Sequence, residues 1–123
     1  MTQNNTNMNP ADTSKLAVLW SSGDPEVARK VCFMYTLNAK KHSWFDEVVL
    51  IIWGPSAKLL TENSDLQEDI KKMQAEGVRI EACLACANMD GIAGRLGEMN
   101  IEVKYMGVPL TDYLKSGWKV LTF

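Results

Sequence analysis

The sequence predicts an α/β protein: a single three-layer α/β/α domain built on a mostly parallel, five-stranded sheet. Three observations carry this expectation. First, Glu47-Val48-Val49-Leu50-Ile51-Ile52-Trp53 is apolar on both faces of a strand and rich in β-branched residues, as a central parallel strand covered on both sides should be. Second, strand-like and helix-like stretches alternate in the order β-α-β-α-β-α-β-α-β, which calls for crossover connections and helices on the sheet faces. Third, 123 residues with 46% hydrophobic and 23% charged content and no internal repeat make one domain with its own core.

Taken in order, residues 1–14 are rich in Asn and Thr, lack hydrophobic periodicity and read as a mobile tail; residues 15–123 form the domain. Lys15-Leu16-Ala17-Val18-Leu19-Trp20 is the first strand. Asp24 is placed to cap the following helix, with Pro25 at its first position and Glu26 at the positive end of its dipole. Val27, Val31, Met34, Tyr35 and Asn38 recur at spacings of three and four and are expected to form its inward stripe, with Cys32 on or beside it as a structural thiol. His42, the lone histidine, is expected to finish that helix. After the central strand, Gly54-Pro55-Ser56 breaks the chain and residues 57–60 add a helical turn. Ser64-Asp65-Leu66-Gln67 reads as a capping box opening a helix with Leu66, Ile70 and Met73 inward and Gly77 as its left-handed end.

In the third strand, Val78, Ile80 and Ala82 alternate with Arg79, Glu81 and Cys83. Residues 92–98 suit a short irregular helix or loop. Ile101, Val103 and Tyr105 mark a fourth strand, Pro109 starts a helix closed near Gly117, and residues 118–123 form the last strand.

Composition narrows the function. With 13 basic residues against 15 acidic ones and no basic cluster, nucleic-acid binding finds no support. No apolar run is long enough to span a bilayer. The N-terminus has neither a charged start nor an apolar centre, so no signal peptide is expected; the expected compartment is the cytoplasm, with the 3 cysteines as reduced thiols. A glycine-rich phosphate loop is missing, and no Ser/His/Asp triad is assembled by spacing. Asp90 and Glu81 flank the third strand and its helix and are expected to be solvated, not acid–base catalysts.

The chemistry-bearing stretch is Val78-Arg79-Ile80-Glu81-Ala82-Cys83-Leu84-Ala85-Cys86, a strand running into Cys-x-x-Cys and then a helix. Carboxyl ends of strands are where open α/β sheets place ligands. A thiol there faces backbone N–H groups and the positive end of a helix dipole, which favour the ionised, nucleophilic form. Cys86, one turn on, has three readings: a resolving thiol for a Cys83 persulfide or sulfenate, half of a metal site, or a small core residue. A structural zinc site wants four ligands, and Cys32 and His42 are placed elsewhere, so neither a metal nor another cofactor is expected within the chain. Thioredoxin-type oxidoreduction uses the same strand-to-helix logic and would need Pro109 to face Cys83. Ser21, Ser22 and Gly23 after the first strand, Trp53 and Gly54 after the second, and Met106 and Gly107 after the fourth are expected to line a shallow pocket along the same edge, although ordinary turn chemistry also accounts for them.

From Lys15 to Phe123 the chain resembles the DsrE/DsrF-like family. The resemblance rests on a strand followed by Ala82-Cys83, on Gly91-Ile92 eight residues on, and on the closing Gly117-Trp118-Lys119-Val120. It implies a role for Cys83 as the cysteine that carries a persulfide between proteins, with sulfur donor and acceptor proteins as partners. It also implies association into a homo-oligomer, a trimer or hexamer. Cys86 is an addition to the family pattern, and members differ in activity, so the fold carries over more safely than the function. Two functions follow: a sulfur-transfer or thiol-redox protein acting through Cys83 and Cys86, or a non-catalytic oligomeric module that binds a small ligand or a protein and whose cysteines are incidental.

Overall fold

The computed structural model describes residues 14–123. The expected N-terminal tail lies outside the described residues except for Ser14. The strands are β1 (Lys15–Trp20), β2 (Glu47–Ile52), β3 (Arg79–Cys83), β4 (Glu102–Lys104) and β5 (Lys119–Thr122). They form one sheet in the order β4-β3-β2-β1-β5. Every pairing is parallel. The β-branched β2 is the middle strand, and five of its six residues are buried.

The order determines the layers. Steps from β1 to β2, β3 and β4 run the same way across the sheet, whereas β5 returns past all of them to the far side of β1. Right-handed crossovers then put the first helices on one face and the last on the other. The packing agrees. Leu16, Val18, Val48, Leu50, Ile80 and Ala82 share one core with helix residues from Ala28 to Leu96. Ala17, Val49, Ile51 and Cys83 share a smaller core with Met106, Leu110 and Tyr113.

The crowded face carries five helices. The first, α1 (residues 25–41), starts as expected: Asp24 accepts a hydrogen bond from the Glu26 N–H at 2.8 Å, and Pro25 occupies the first turn. Its inward stripe differs from the expected one. Residues Ala28–Phe33 form a π-helical stretch within it, and the buried residues are Ala28, Cys32, Phe33, Thr36 and Ala39. Val31 is 48% and Met34 56% exposed. Ala28, Cys32, Thr36 and Ala39 let the helix lie close to the sheet, Phe33 is the one large side chain buried with them, and Val31 and Met34 turn outward, on the side where Tyr35 and Trp44 shield each other with ring centroids 5.7 Å apart. His42 ends the helix, its N–H donating to the Asn38 carbonyl at 2.9 Å.

Next come α2 (Pro55–Glu62), a full helix where one turn was expected, and α3 (Ser64–Ala75). The cap of α3 is Asn63, one residue before the expected Ser64: its side chain accepts from the Leu66 N–H at 3.1 Å, and Gln67 donates to the Leu60 carbonyl instead of closing a capping box. Leu66, Ile70 and Met73 face inward as expected. The last two helices on this face are α4 (Leu84–Asp90) and α5 (Ala93–Gly97).

The other face is covered by α6 (Gly107–Lys115) alone. It begins two residues before Pro109, which sits within its first turn, where a missing N–H costs nothing. The fourth strand is shorter than the alternation of Ile101, Val103 and Tyr105 implied. Only Glu102–Lys104 pairs, at the sheet edge, and Tyr105 lies outside it, 64% exposed.

Candidate thiol site

The site lies at the carboxyl edge of the sheet. β3 ends on Cys83, which keeps an extended backbone (φ −76, ψ 120) and is the N-cap residue of α4; its side chain makes no capping bond. That helix ends at Gly91, whose φ of +69 is a left-handed cap open to few residues but glycine. Arg79, Glu81 and Cys83 alternate onto the face that α6 covers. There Cys83 shares its cluster with Met106, the residue that leads into α6, and is 4% exposed. Cys86, in the first turn of α4, is half-buried. All three cysteines are free thiols.

The strand-end residues expected to make one shallow pocket are gathered at this edge but divided in role. Ser21 and Ser22 donate their backbone N–H groups to the Phe123 carbonyl at 2.7 and 3.2 Å, tying β1 to the end of β5. The Ser22 hydroxyl accepts from the Asp24 N–H, so Ser21-Ser22-Gly23 builds the turn into α1. Gly54, with φ +83, leads into α2, and Ser56 donates its hydroxyl to the Trp20 carbonyl at 2.6 Å. Trp53 packs partly buried against the Cys83 cluster and Met106 is wholly buried within it, while Gly107 is exposed. The open cavity found here is a different one, lined by Gly54, Pro55, Lys58, Cys86, Met89 and Asp90. Of the expected set it contains Gly54 and Cys86.

Cys32 is a structural thiol on the crowded face. Burial pushes its pKa up to about 12, against a hydrogen bond involving Thr36 that lowers it. His42 is exposed and stacks on Trp44 with centroids 5.6 Å apart, remote in role from the thiols. Among the described residues, no three or more His, Cys, Asp or Glu side chains gather as a metal site.

Glu81 corrects the sequence reading. Expected to be solvated, it is 2% exposed, because β3 is an inner parallel strand and buries both faces. Its carboxylate is fully engaged. One oxygen accepts from the Tyr113 hydroxyl at 2.8 Å and the other from the Lys104 ammonium at 3.1 Å, with the Arg79 guanidinium 3.8 Å away. Arg79 also donates to the Tyr113 hydroxyl at 2.8 Å. A buried carboxylate persists only when so compensated.

The network marks its members. Burial first, then the bond to Glu81, raises the pKa of Tyr113, while Arg79 pulls it partly back. Burial works against the charge on Lys104, but its bonds to Glu102 and Glu81 outweigh this and raise its pKa. The cluster lies two residues before Cys83 on the same strand face, roughly 6.6 Å along the chain, and fastens α6 to the sheet. A sequence signal existed for it: a carboxylate at an alternate position of a strand that must be buried on both faces needs a partner. Asp90, by contrast, is exposed as expected.

A parallel α/β domain with a cysteine between strand end and helix start is a class defined by its fold and this placement. The chain belongs to the DsrE/DsrF-like family, whose model matches residues 14–123. Among solved structures, a conserved protein of unknown function from Bacteroides thetaiotaomicron, BT1422, is 37% identical, with a TM-score of 0.86 over 89% of this chain and 95% of that one. The ychN protein of E. coli is 16% identical (TM-score 0.70, 89% and 99% covered), and MTH1491 of Methanobacterium thermoautotrophicum, of unknown function, is 15% identical (TM-score 0.75, 89% and 99% covered). At those identities the last two speak for the fold alone. No curated protein matches the chain.

Proposed function

We propose that this protein is a sulfur carrier, with Cys83 holding a persulfide and Cys86 as its helper thiol. The observation that carries the reading is the placement of Cys83 as the last residue of β3 and the N-cap residue of α4, with its side chain engaged in no hydrogen bond of the cap. Family membership supports the sulfur chemistry. The thiolate of Cys83 attacks the outer sulfur of a persulfide donor, the donor's sulfur–sulfur bond breaks, and the donor leaves as a thiolate. An acceptor thiol then repeats the exchange on Cys83. Three free thiols and no disulfide suit a reducing compartment such as the cytoplasm. No helix among the described residues is long and apolar enough to cross a membrane.

A homo-oligomer, trimer or hexamer, belongs to the same proposal. Its support is the set of apolar side chains left exposed on or beside α6: Tyr105, Val108 and Leu114. The donor and acceptor are proposed to be protein thiols.

One observation favours the second reading, a binding module with incidental cysteines: Cys83 is nearly closed to solvent. Intact-protein mass spectrometry after exposure to a persulfide donor separates the two. In a Cys86→Ser background a carrier still gains one sulfur atom on prolonged exposure, and adding Cys83→Ser abolishes the gain while the circular dichroism stays that of the wild type. A gain that survives in the double variant, or thiols that react only after denaturation, overturns the carrier reading.

A further inference from the structure

We propose that the cavity between α2 and α4 binds a small zwitterionic persulfide of the amino-acid type, and that Cys86 is the thiol it meets first. The inference rests on the sulfur-carrier reading above and deepens it by naming a class of donor and its point of entry.

The cavity has a volume of about 330 Å³, at the small end of ligand sites, which run roughly 300–1,000 Å³. One wall is α2, with Pro55 and Lys58; the other is the turn-and-a-half of α4 carrying Cys86, Met89 and Asp90. Lys58 and Asp90 therefore stand on opposite walls, one basic and one acidic. They do not pair with each other, and neither forms an ion pair with any described residue. Surface charges that face one cavity without meeting are matched by a ligand carrying both signs. Its carboxylate goes to Lys58, its ammonium to Asp90, and its short apolar body to Pro55 and Met89. Inorganic sulfide or thiosulfate carries no positive group and leaves Asp90 unmatched.

Access points to Cys86 as well. It is half-buried and lines the cavity, whereas Cys83 faces the other side of the sheet edge, under the lead-in to α6. In the transfer, the Cys86 thiolate attacks the outer sulfur of the donor, R–S–S–H. A new sulfur–sulfur bond forms on Cys86, the donor's own breaks, and its electron pair leaves on R–S⁻, which takes up the proton that Cys86 gave up. A second thiol then repeats the exchange on the Cys86 persulfide. Thiol and persulfide change places at each step, so no oxidant or reductant is required.

The test measures loading against cysteine persulfide concentration, using wild type, Lys58→Met, Asp90→Asn and Cys86→Ser. All three substitutions replace side chains outside the buried core. Each charge substitution is expected to raise the half-saturating concentration about tenfold, the loss of one modest charge-assisted contact, with the maximal rate little changed. Cys86→Ser is expected to lose rapid loading. Unchanged half-saturation in both charge variants, or full-rate loading in Cys86→Ser, overturns the inference.

A second readout needs no sulfur transfer. S-methylcysteine, an unreactive zwitterion, should slow iodoacetamide labelling of Cys86 in wild type but not in Lys58→Met; no protection in wild type overturns the cavity assignment. Inorganic polysulfide on wild type distinguishes the two failures. Loading by polysulfide without dependence on Lys58, Asp90 or Cys86 for cysteine persulfide leaves the carrier reading standing and removes this one. No loading of any cysteine by either donor removes the carrier reading itself.

Discussion

The two faces of the sheet are built by different rules. The face under α1 to α5 is aliphatic and closed: Leu50, Leu60, Leu66, Ile70 and Leu96 are fully buried there, and its thiol, Cys32, is sealed among them. The face under α6 has one helix, a small apolar core, and a buried carboxylate bound by a tyrosine and a lysine. The difference teaches where chemistry can reside. Apolar burial is non-directional and supplies most of the stability, so the crowded face sets the fold. Polar contacts are directional and costly to leave half-made, so the sparse face fixes one helix in one orientation beside Cys83.

The comparison breaks most sharply at the thiols. Cys32 should label with iodoacetamide at neutral pH far more slowly than an ordinary thiol, because burial both raises its pKa and closes it to the reagent. Peptide mapping of the modified protein should therefore show Cys86 first, Cys83 next and Cys32 last. Labelling of Cys32 ahead of Cys83 would mean that the two faces are not differently closed.

Stability gives the next contrast. Ile70→Ala, on the crowded face, should cost about 2–5 kcal/mol in urea denaturation. Tyr113→Phe removes one hydrogen bond to the buried Glu81 and should cost about 1–3 kcal/mol. Equal or reversed costs would count against an apolar and a polar face.

Alkaline titration sharpens the same point. The folded protein holds the Tyr113 proton more tightly than the unfolded chain, so the stabilisation is complete below the ordinary tyrosine pKa near ~10 and is lost as pH rises through the higher folded value. Tyr113→Phe should flatten that part of the decline. The smallest effect is expected at the outward side of α1: Met34→Ser should change stability by no more than about 0.5 kcal/mol, whereas the stripe expected from spacing would make it a core mutation.

The fold was legible in the sequence because its strongest signals are redundant. β2 is apolar at alternate and intervening positions alike, Asp24-Pro25 announces α1, and Gly77 closes α3. The inner face of α1 was not legible. Weight given to Val31, Met34 and Tyr35 favours large residues, while close packing selected Ala28, Cys32, Thr36 and Ala39, and the π-helical stretch alters the spacing. At the site, Cys83 was legible from local pattern, since a strand running into a helix is written within a few residues. The partners of Glu81 were not: Lys104 and Tyr113 lie 23 and 32 residues on, and only the parallel topology brings them together. Lys58 was missed for the same reason, being joined to Cys86 only through the approach of α2 to α4.

Cyanolysis tests the central claim most directly. A persulfide gives up its outer sulfur to cyanide as thiocyanate, whereas a disulfide or an oxidised thiol releases none. Cys86→Ser protein loaded to completion with a persulfide donor and freed of excess reagent should release a stoichiometric amount of thiocyanate, and the Cys83→Ser/Cys86→Ser double variant should release little. Thiocyanate absent from Cys86→Ser, or undiminished in the double variant, would contradict Cys83 as the residue that holds transferable sulfur.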